Sequence, residues 1–251
     1  MKYDLLILAA EKDYNKVPIC VQQCRQHLKP LPTSIYIVTP TRLLNQPDAT
    51  ISYLDADILS VKKENINYKQ PGWIYKQLMN LFQDITSEFY LSVDADAFFL
   101  RDIQVFENET PKLFIKSEQP ERHAPYFILM NKLYGYERFC EKSFISDFML
   151  FNKPACRNFF GNSAQEFLNK INPLLYDGAL LADYEWYGNH LYNKLPNWYL
   201  LQDIKSKTVG KFETYQTKEL EDLIYSDIYL DYDMVVTHTW NDKTTLEDQR
   251  L

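Results

Sequence analysis

Hydrophobic residues in the first half of the chain form short continuous runs that alternate with a longer stretch of helical spacing. The runs at residues 4–10, 34–38 and 51–54 are typical of buried strands in a parallel sheet. Residues 17–28 have a proline in the first turn and another just beyond the end, so we expect a helix there. The N-terminal part is therefore predicted to run strand, helix, strand, strand.

A second helix is predicted from residue 71 onward, because apolar residues recur there on one face. They fall at i, i+4, i+7, i+8 and i+11, and are Ile74, Leu78, Leu81, Phe82 and Ile85. The helix leads into an apolar run at residues 89–93, which stops at Asp94. Strand-helix-strand order implies parallel pairing with right-handed crossovers, and ligands of such sheets bind beyond the carboxyl ends of the strands.

Beyond residue 100 the pattern is less regular. It predicts strands at residues 112–116 and 144–151, and helices at residues 163–171 and 183–195. No linker or internal repeat divides the 251 residues. We therefore expect one α/β domain with a mostly parallel sheet flanked by helices.

Charge and hydropathy narrow the classes of function. The net charge of -7 and the lack of clustered Lys and Arg exclude a nucleic-acid-binding surface. The first apolar run is too short for a signal peptide, and no run approaches the roughly 18–20 residues of a membrane span. The sequence thus predicts a cytoplasmic protein without an integral membrane segment; it gives no oligomeric state.

The main candidate for chemistry is the pair Asp94 and Asp96, which ends the fullest apolar run of the chain. Side chains alternate along a strand, so we expect both carboxylates on the same side, where they resist ionising together unless a cation lies between them. Mg²⁺ and Mn²⁺ suit such oxygens and keep positions open for substrate phosphates. The alternative is that the two residues simply cap a turn.

The tripeptide Asp-Ala-Asp of residues 94–96 also occurs at residues 55–57. We favour the Asp94 copy because a long amphipathic helix and a full apolar run precede it, whereas Asp57 leads into a solvated, charged segment. Neither copy is an EF-hand loop; at the Asp94 copy, Phe98 and Phe99 occupy the fifth and sixth positions of such a loop.

Several blocks around the pair resemble the GT-A nucleotide-sugar glycosyltransferases, in particular small bacterial and viral members. The resemblance covers about residues 4–240, and its blocks are Gly72-Trp73-Ile74-Tyr75-Lys76-Gln77-Leu78, the Asp94 motif, Phe144-Ile145-Ser146-Asp147-Phe148-Met149-Leu150-Phe151-Asn152, Ala182-Asp183-Tyr184-Glu185-Trp186-Tyr187-Gly188 and Thr237-His238-Thr239-Trp240. It implies a GT-A, Rossmann-like fold, with a nucleotide-binding half at residues 1–102 and a donor-sugar and acceptor half at residues 103–251.

The resemblance also implies a set of donor-binding residues. Asp96 would ligate Mn²⁺ or Mg²⁺, Asp94 would bind the metal or the donor ribose, and His238 would complete the coordination. Lys76 would lie against the donor diphosphate, unless it is only a solvated helix charge. Base and ribose would contact the ends of the first two strands, at Ala10, Lys12 and Thr39.

The acceptor hydroxyl needs a carboxylate base, because an alcohol is a poor nucleophile while it keeps its proton. Asp183, Glu185 and Asp147 are the candidates. Asp183 and Glu185 do not share a helix face, and we favour Asp183, whose alternative role is to cap a helix. Asp147 is expected either to bind sugar hydroxyls or to act in catalysis. Trp186, His190 and Trp240 are expected to form an acceptor platform or to pack in the core.

The sequence predicts a metal-dependent glycosyltransferase that moves a sugar from a nucleoside diphosphate to a glycan or lipid-linked acceptor. UDP is the favoured nucleotide, and inversion is favoured over retention. Two alternatives remain. One is a member that binds a nucleotide sugar or glycan without transferring it. The other is a phosphotransferase with an Asp nucleophile, which normally has Thr or Val where this chain has Phe98.

Overall fold

The computed structural model describes residues 1–44, 50–116, 121–138, 140–209, 220, 222 and 224–237. Its α-helices are α1 Val17–His27, α2 Pro71–Phe82, α3 Ala124–Tyr134, α4 Lys153–Phe160, α5 Ala164–Ile171 and α6 Asp183–Lys194. The strands are β1 Asp4–Leu8, β2 Leu28–Lys29, β3 Ile35–Thr39, β4 Ile51–Asp55, β5 Phe89–Asp94, β6 Ala97–Phe99, β7 Ile103–Gln104, β8 Phe106–Glu107, β9 Thr110–Ile115, β10 Phe148–Asn152, β11 Leu200–Asp203, β12 Ser206–Thr208 and β13 Met234–Val236.

The central sheet has five strands in the order β10-β5-β1-β3-β4. Strands β5, β1, β3 and β4 are parallel, and only β10 runs antiparallel, with Leu150 opposite Leu91. The predicted α/β class with a mostly parallel sheet is therefore confirmed. Strand β10 comes from the second half of the chain, so both halves contribute to this sheet.

Helices cover both faces of the sheet, which explains why the central strands are apolar throughout. Leu5 and Ile7 of β1 pack in one hydrophobic cluster with α1, whereas Leu6 and Leu8 pack in a second cluster with α2. Side chains alternate along a strand, so an uninterrupted apolar run fills two cores at once.

Several predicted boundaries move in the second half. The strand expected at residues 144–151 begins at Phe148. Ser163 is the N-cap of α5 and accepts a hydrogen bond from the Glu166 amide, so the helix proper begins one residue later. The pattern did not predict α3, α4 or the short strands β11 to β13.

Strand β5 ends at Asp94, and residues 95 and 96 form a turn before β6. The expectation that Asp94 and Asp96 alternate along one strand was therefore wrong, because the chain leaves the sheet between them. Strand β6 then pairs antiparallel with β13, with Ala97 opposite Val236. In the part of the chain that the structure describes, no helix has both the length and the apolar composition needed to cross a bilayer.

Candidate active site

The site lies at the carboxyl ends of the central strands, where α/β sheets bind their ligands. Asp94 is the last residue of β5, and its amide donates to the carbonyl of Asp147 at 3.0 Å. Lys76 of α2 forms an ion pair with Asp94 Oδ1 at 2.8 Å, and the Tyr184 hydroxyl donates to the same oxygen at 3.1 Å. Helices α2 and α6 therefore meet at the Asp94 carboxylate, and the loop before β10 holds the backbone of the same residue.

The electrostatics of this carboxylate reflect opposing effects. Burial raises the pKa of Asp94, the positive charge of Lys76 opposes that rise, and the neighbouring charge of Asp96 adds to it. Burial alone would lower the pKa of Lys76, but Asp94, Asp96 and Asp183 together raise it above that of an ordinary lysine. Lys76 is thus a cation surrounded by acidic groups, with part of its side chain open to solvent.

Asp96 lies in the turn after β5 and is held through its backbone. The Thr237 amide donates to the Asp96 carbonyl at 3.0 Å. Lys16, which is 3% exposed, donates to the Thr237 carbonyl at 3.3 Å and to Asp13 Oδ1 at 2.9 Å. Lys16 was missed by the sequence analysis. The signal was available, because a Lys three residues after an Asp just beyond the first strand fits a local ion pair.

His238, the expected third metal ligand, lies outside the described residues. Within the described part of the chain, no group of three His, Cys, Asp or Glu side chains is arranged to hold a metal ion. The pair Asp94 and Asp96 still matches the usual protein contribution to an Mg²⁺ site, which is one or two carboxylates plus substrate phosphates. The donor set therefore fits Mn²⁺ or Mg²⁺ on a diphosphate, rather than a fully protein-made metal site.

Asp183 is the first residue of α6, but its side chain does not cap that helix. Asn80 of α2 donates to Asp183 Oδ2 at 2.7 Å, and the Asp183 amide donates to Gln77 Oε1 at 2.9 Å. Burial raises the pKa of Asp183 to about 6, partly offset by the Asn80 hydrogen bond and by Lys76. The carboxyl group is thus poised to exchange a proton near neutral pH.

Asn80 and Gln77 were also missed from the sequence. Asn80 Oδ1 accepts from the Ser92 hydroxyl at 2.7 Å, which fixes the orientation of the amide that donates to Asp183. Both residues are buried among the apolar side chains of α2. Polar residues within the apolar stretch of α2 were the available clue, because buried amides need partners.

These groups line a cleft of about 100 Å³ between α2, α6 and the end of β5. Its lining residues are Trp73, Lys76, Gln77, Asn80, Asp94, Tyr126, Ile145, Ala182, Asp183 and Tyr184. Sites for whole drug-sized ligands measure roughly 300–1,000 Å³. The cleft therefore accommodates one reacting portion of a larger ligand.

Glu185 does not join this cleft. It is fully buried and accepts hydrogen bonds from the Phe144 amide at 2.9 Å and from Asn189 Nδ2 at 2.9 Å. Burial raises its pKa to about 7, and the two hydrogen bonds partly offset that rise. Its contacts connect α6 to the loop that carries Asp147.

Asp147 is adjacent to the cleft but is already paired. Lys116 binds its Oδ2 at 2.6 Å in a buried ion pair. The residue has φ +65°, a left-handed conformation that is uncommon outside glycine, although Asp adopts it more readily than most residues. The ion pair and the backbone conformation together set the direction in which its carbonyl meets the Asp94 amide.

The expected base-and-ribose residues lie at the ends of β1 and β3. Ala10 and Lys12 are exposed, with the Lys12 amine 3.8 Å from Asp13 Oδ2. Thr39 is fully buried, its carbonyl accepts from the Ala56 amide at 2.9 Å, and no described residue hydrogen-bonds to its hydroxyl. Ala10 and Lys12 can therefore meet a ligand directly, whereas Thr39 lies beneath the surface.

Of the two roles expected for Trp186 and His190, acceptor platform or core packing, the structure shows core packing. Trp186 is fully buried, and its indole donates to the Tyr126 carbonyl at 2.9 Å. His190 is 5% exposed and stacks on Phe159, with 4.1 Å between ring centroids. Both belong to the core, because helix α6 is covered by α2, α3 and α4. Trp240 lies outside the described residues.

Comparisons with known proteins add little to this geometry. No protein-family profile matches the chain, and no curated protein sequence matches it. Among solved structures, the crystal structure of mouse xyloside xylosyltransferase 1 in its apo form is similar to it, with 11% identity and a TM-score of 0.46. The alignment covers 98% of this chain and 100% of that chain.

Proposed function

We propose that this protein is a metal-dependent glycosyltransferase that moves a sugar from a nucleoside diphosphate, UDP in the first instance, to a hydroxyl group of a glycan or lipid-linked acceptor. The observation that carries the proposal is the cleft itself. A carboxylate at the carboxyl end of a central strand, a lysine bound to it and a second carboxyl group with a pKa of about 6 line one small cavity.

Asp94 and Asp96 are the residues that would hold Mn²⁺ or Mg²⁺, with His238 as a third ligand. Lys76 and Tyr184 both bind Oδ1 of Asp94, so Oδ2 is the oxygen we assign to the metal. The ion, when bound, neutralises the charge that develops on the departing diphosphate. Lys76 supplies a further positive charge on the same side of the cleft.

Asp183 is the base that we assign to the acceptor. Its carboxylate takes the proton from the acceptor hydroxyl while the hydroxyl oxygen bonds to the anomeric carbon. The bond from that carbon to the diphosphate oxygen breaks, and the nucleoside diphosphate leaves with the electron pair. Attack opposite to the leaving group inverts the anomeric configuration. Asn80, oriented by Ser92, keeps the Asp183 carboxylate in position.

The test begins with titration calorimetry of UDP, GDP and CDP into the protein, with and without Mn²⁺. We expect UDP to bind only with Mn²⁺, and Asp96→Asn to remove that binding. Asp57→Asn is the matched control and should bind as the unmodified protein does. Lack of binding by all three nucleotides would refute the proposed mechanism.

Turnover separates transfer from simple binding. Asp183→Asn should keep the Mn²⁺-dependent affinity for UDP, because Asp183 does not hold the metal in this proposal. It should lose the release of UDP from UDP-sugars in the presence of acceptor. A protein that binds UDP but turns over no UDP-sugar with any acceptor would instead be a binding member without transferase activity.

A further inference from the structure

Four aromatic side chains contact one another in succession beside the cleft, and we call them the aromatic row. It comprises Tyr68, Trp73, Tyr126 and His123. Centroid separations along the row are 6.3 Å from Tyr68 to Trp73, 6.3 Å from Trp73 to Tyr126 and 4.5 Å from Tyr126 to His123. All four side chains are partly or largely exposed.

The inner part of the row belongs to the candidate active site. Trp73 and Tyr126 line the same cleft as Asp183. Trp73 lies one helical turn before Gln77, whose side chain accepts from the Asp183 amide. A ligand bound on the row would therefore have one end at the proposed base.

The outer part opens into a second depression of about 570 Å³. Tyr68 lines it together with Lys69, Tyr176 and Asp177. Asp177 binds the Lys69 amine at 2.9 Å and accepts from the Tyr68 hydroxyl at 3.4 Å. The amine of Lys132 lies 5.1 Å above the Tyr176 ring. The depression is shallow and open to solvent, so it suits a ligand that lies along the surface.

The chemistry of this surface selects one class of ligand. Aromatic faces with polar edges stack on the C–H faces of sugar rings, and the interleaved amide, hydroxyl and carboxylate groups can bind their hydroxyls. The charge of Lys69 is paired with that of Asp177, and the Lys132 amine lies over the face of the Tyr176 ring, so both amines beside the depression already have a partner. Three neighbouring rings, with 6.3 Å between successive centroids, offer more than one face on which a sugar can stack.

We propose that the aromatic row and the outer depression form an extended acceptor subsite for a neutral oligosaccharide, with its reacting end at Asp183 and the preceding sugars over Trp73 and Tyr68. The inference rests on the proposed transferase function, and it names the acceptor as an oligosaccharide rather than a monosaccharide. It replaces the buried Trp186 and His190 as the aromatic contribution to acceptor binding.

The experiment measures binding of neutral gluco-oligosaccharides, from monosaccharide to hexasaccharide in the α- and β-linked series, by saturation-transfer NMR and calorimetry. We expect affinity to rise with length. Tyr68→Ala should weaken the longest binding probe about tenfold and leave the monosaccharide unchanged, since the loss of one ring contact changes affinity by about that factor. Tyr176→Ala, a second variant in the outer depression, should act in the same direction.

The controls separate this inference from the proposed function. Tyr229→Ala removes a partly exposed ring elsewhere and should leave oligosaccharide binding unchanged. UDP affinity with Mn²⁺ should be the same in Tyr68→Ala as in the unmodified protein. A fall in UDP affinity would assign the row to the donor base and overturn the inference. Failure of a UDP-binding protein to bind any oligosaccharide, or equal binding by Tyr68→Ala, would also overturn it. If the unmodified protein did not bind UDP with Mn²⁺, that result would count against the proposed function alone.

Discussion

The string Asp-Ala-Asp follows two strands of the same sheet, β4 at residues 55–57 and β5 at residues 94–96, and in both places the strand gives way to a turn. Strand β4 is an edge strand, whereas β5 lies between β10 and β1. The residues of β5 before Asp94 are all buried, and those of β4 are half-buried or exposed. The position of the preceding strand in the sheet, rather than the Asp-Ala-Asp sequence itself, distinguishes the two copies.

Their partners differ accordingly. Asp55 accepts from the Thr41 hydroxyl and from the Asp57 amide, and these hydrogen bonds lower its pKa. This is a turn stabilised by its own carboxylate. Asp94 instead meets a lysine and a tyrosine from distant segments, and burial raises its pKa. The turn-capping alternative thus describes the Asp55 copy, while the Asp94 copy is surrounded by groups suited to chemistry.

The largest expected difference between the copies is in turnover. Asp96→Asn should lower the rate of UDP release from UDP-sugars about a thousandfold, because the loss of a metal ligand removes several kcal/mol of transition-state stabilisation. Asp57→Asn makes the same chemical change at the exposed copy and should leave the rate unchanged. Steady-state assays with saturating Mn²⁺ measure both. Loss of turnover in Asp57→Asn but not in Asp96→Asn would place the active site at the edge strand β4.

Each copy also has a nearby lysine, which gives a second matched pair. Lys76→Met removes the cation bound to Asp94 and should weaken UDP binding about tenfold at saturating Mn²⁺, since the charge facing the diphosphate is lost. Lys63 lowers the pKa of Asp55 from a distance, and its amine lies 5.1 Å from the Tyr75 ring centroid. Lys63→Met should therefore bind UDP normally. If calorimetry showed equal losses of UDP affinity in Lys76→Met and Lys63→Met, Lys76 would act only as a surface charge.

The pH dependence of transfer should follow the group beside the Asp94 copy. Asp183 must be ionised to accept a proton, and its pKa is raised to about 6. We therefore expect kcat/KM to be level above that value and to fall about tenfold for each pH unit below it. A profile measured at saturating Mn²⁺ tests this. A level profile across pH 6 would exclude Asp183 as the base.

The parallel strands β1, β3, β4 and β5 and the helices α1, α2, α5 and α6 were predictable, because apolar runs and helical spacing record burial on one or two faces. Ile74 and Leu78, for example, share a helix face and pack in the same core cluster. The turn at residue 95 was not predictable in the same way, since Ala95-Asp96-Ala97 satisfies a continued strand equally well. The pairing of β6 with β13 depends on residues more than a hundred positions away.

The site could be predicted only in part, again because some of its contacts join residues that are distant in sequence. Asp94, Lys76 and Asp183 were named from the sequence, and the structure brings these three into one cleft. Asn80 and Lys16 were missed, because their importance comes from partners distant in sequence. Glu185 is two residues from Asp183 but faces another part of the core, as expected when two residues do not share a helix face.

The smallest effect that we predict concerns stability. The rise in the pKa of Asp183 from 3.8 to about 6 means that the folded protein holds the proton more tightly than the unfolded chain. The resulting stabilisation is complete below about pH 3.8 and is lost as the pH rises through about 6. Asparagine carries no charge and still accepts a hydrogen bond from Asn80. Asp183→Asn should therefore increase the free energy of unfolding at pH 8 by about 1–3 kcal/mol.

Asp55→Asn supplies the contrast, because the pKa of Asp55 is lowered rather than raised. Folding favours its charged form, so this substitution should not stabilise the protein at pH 8. Urea unfolding at pH 8 and at pH 4 measures both variants, and the advantage of Asp183→Asn should shrink at the lower pH, where the native carboxyl group is protonated. Stabilisation of both variants, or an advantage for Asp183→Asn that does not change with pH, would mean that burial of charge does not distinguish the two regions. The expected result would instead show that Asp183, beside Asp94, destabilises the folded protein when it is ionised. This destabilisation is expected of a catalytic base that must be both buried and ionised.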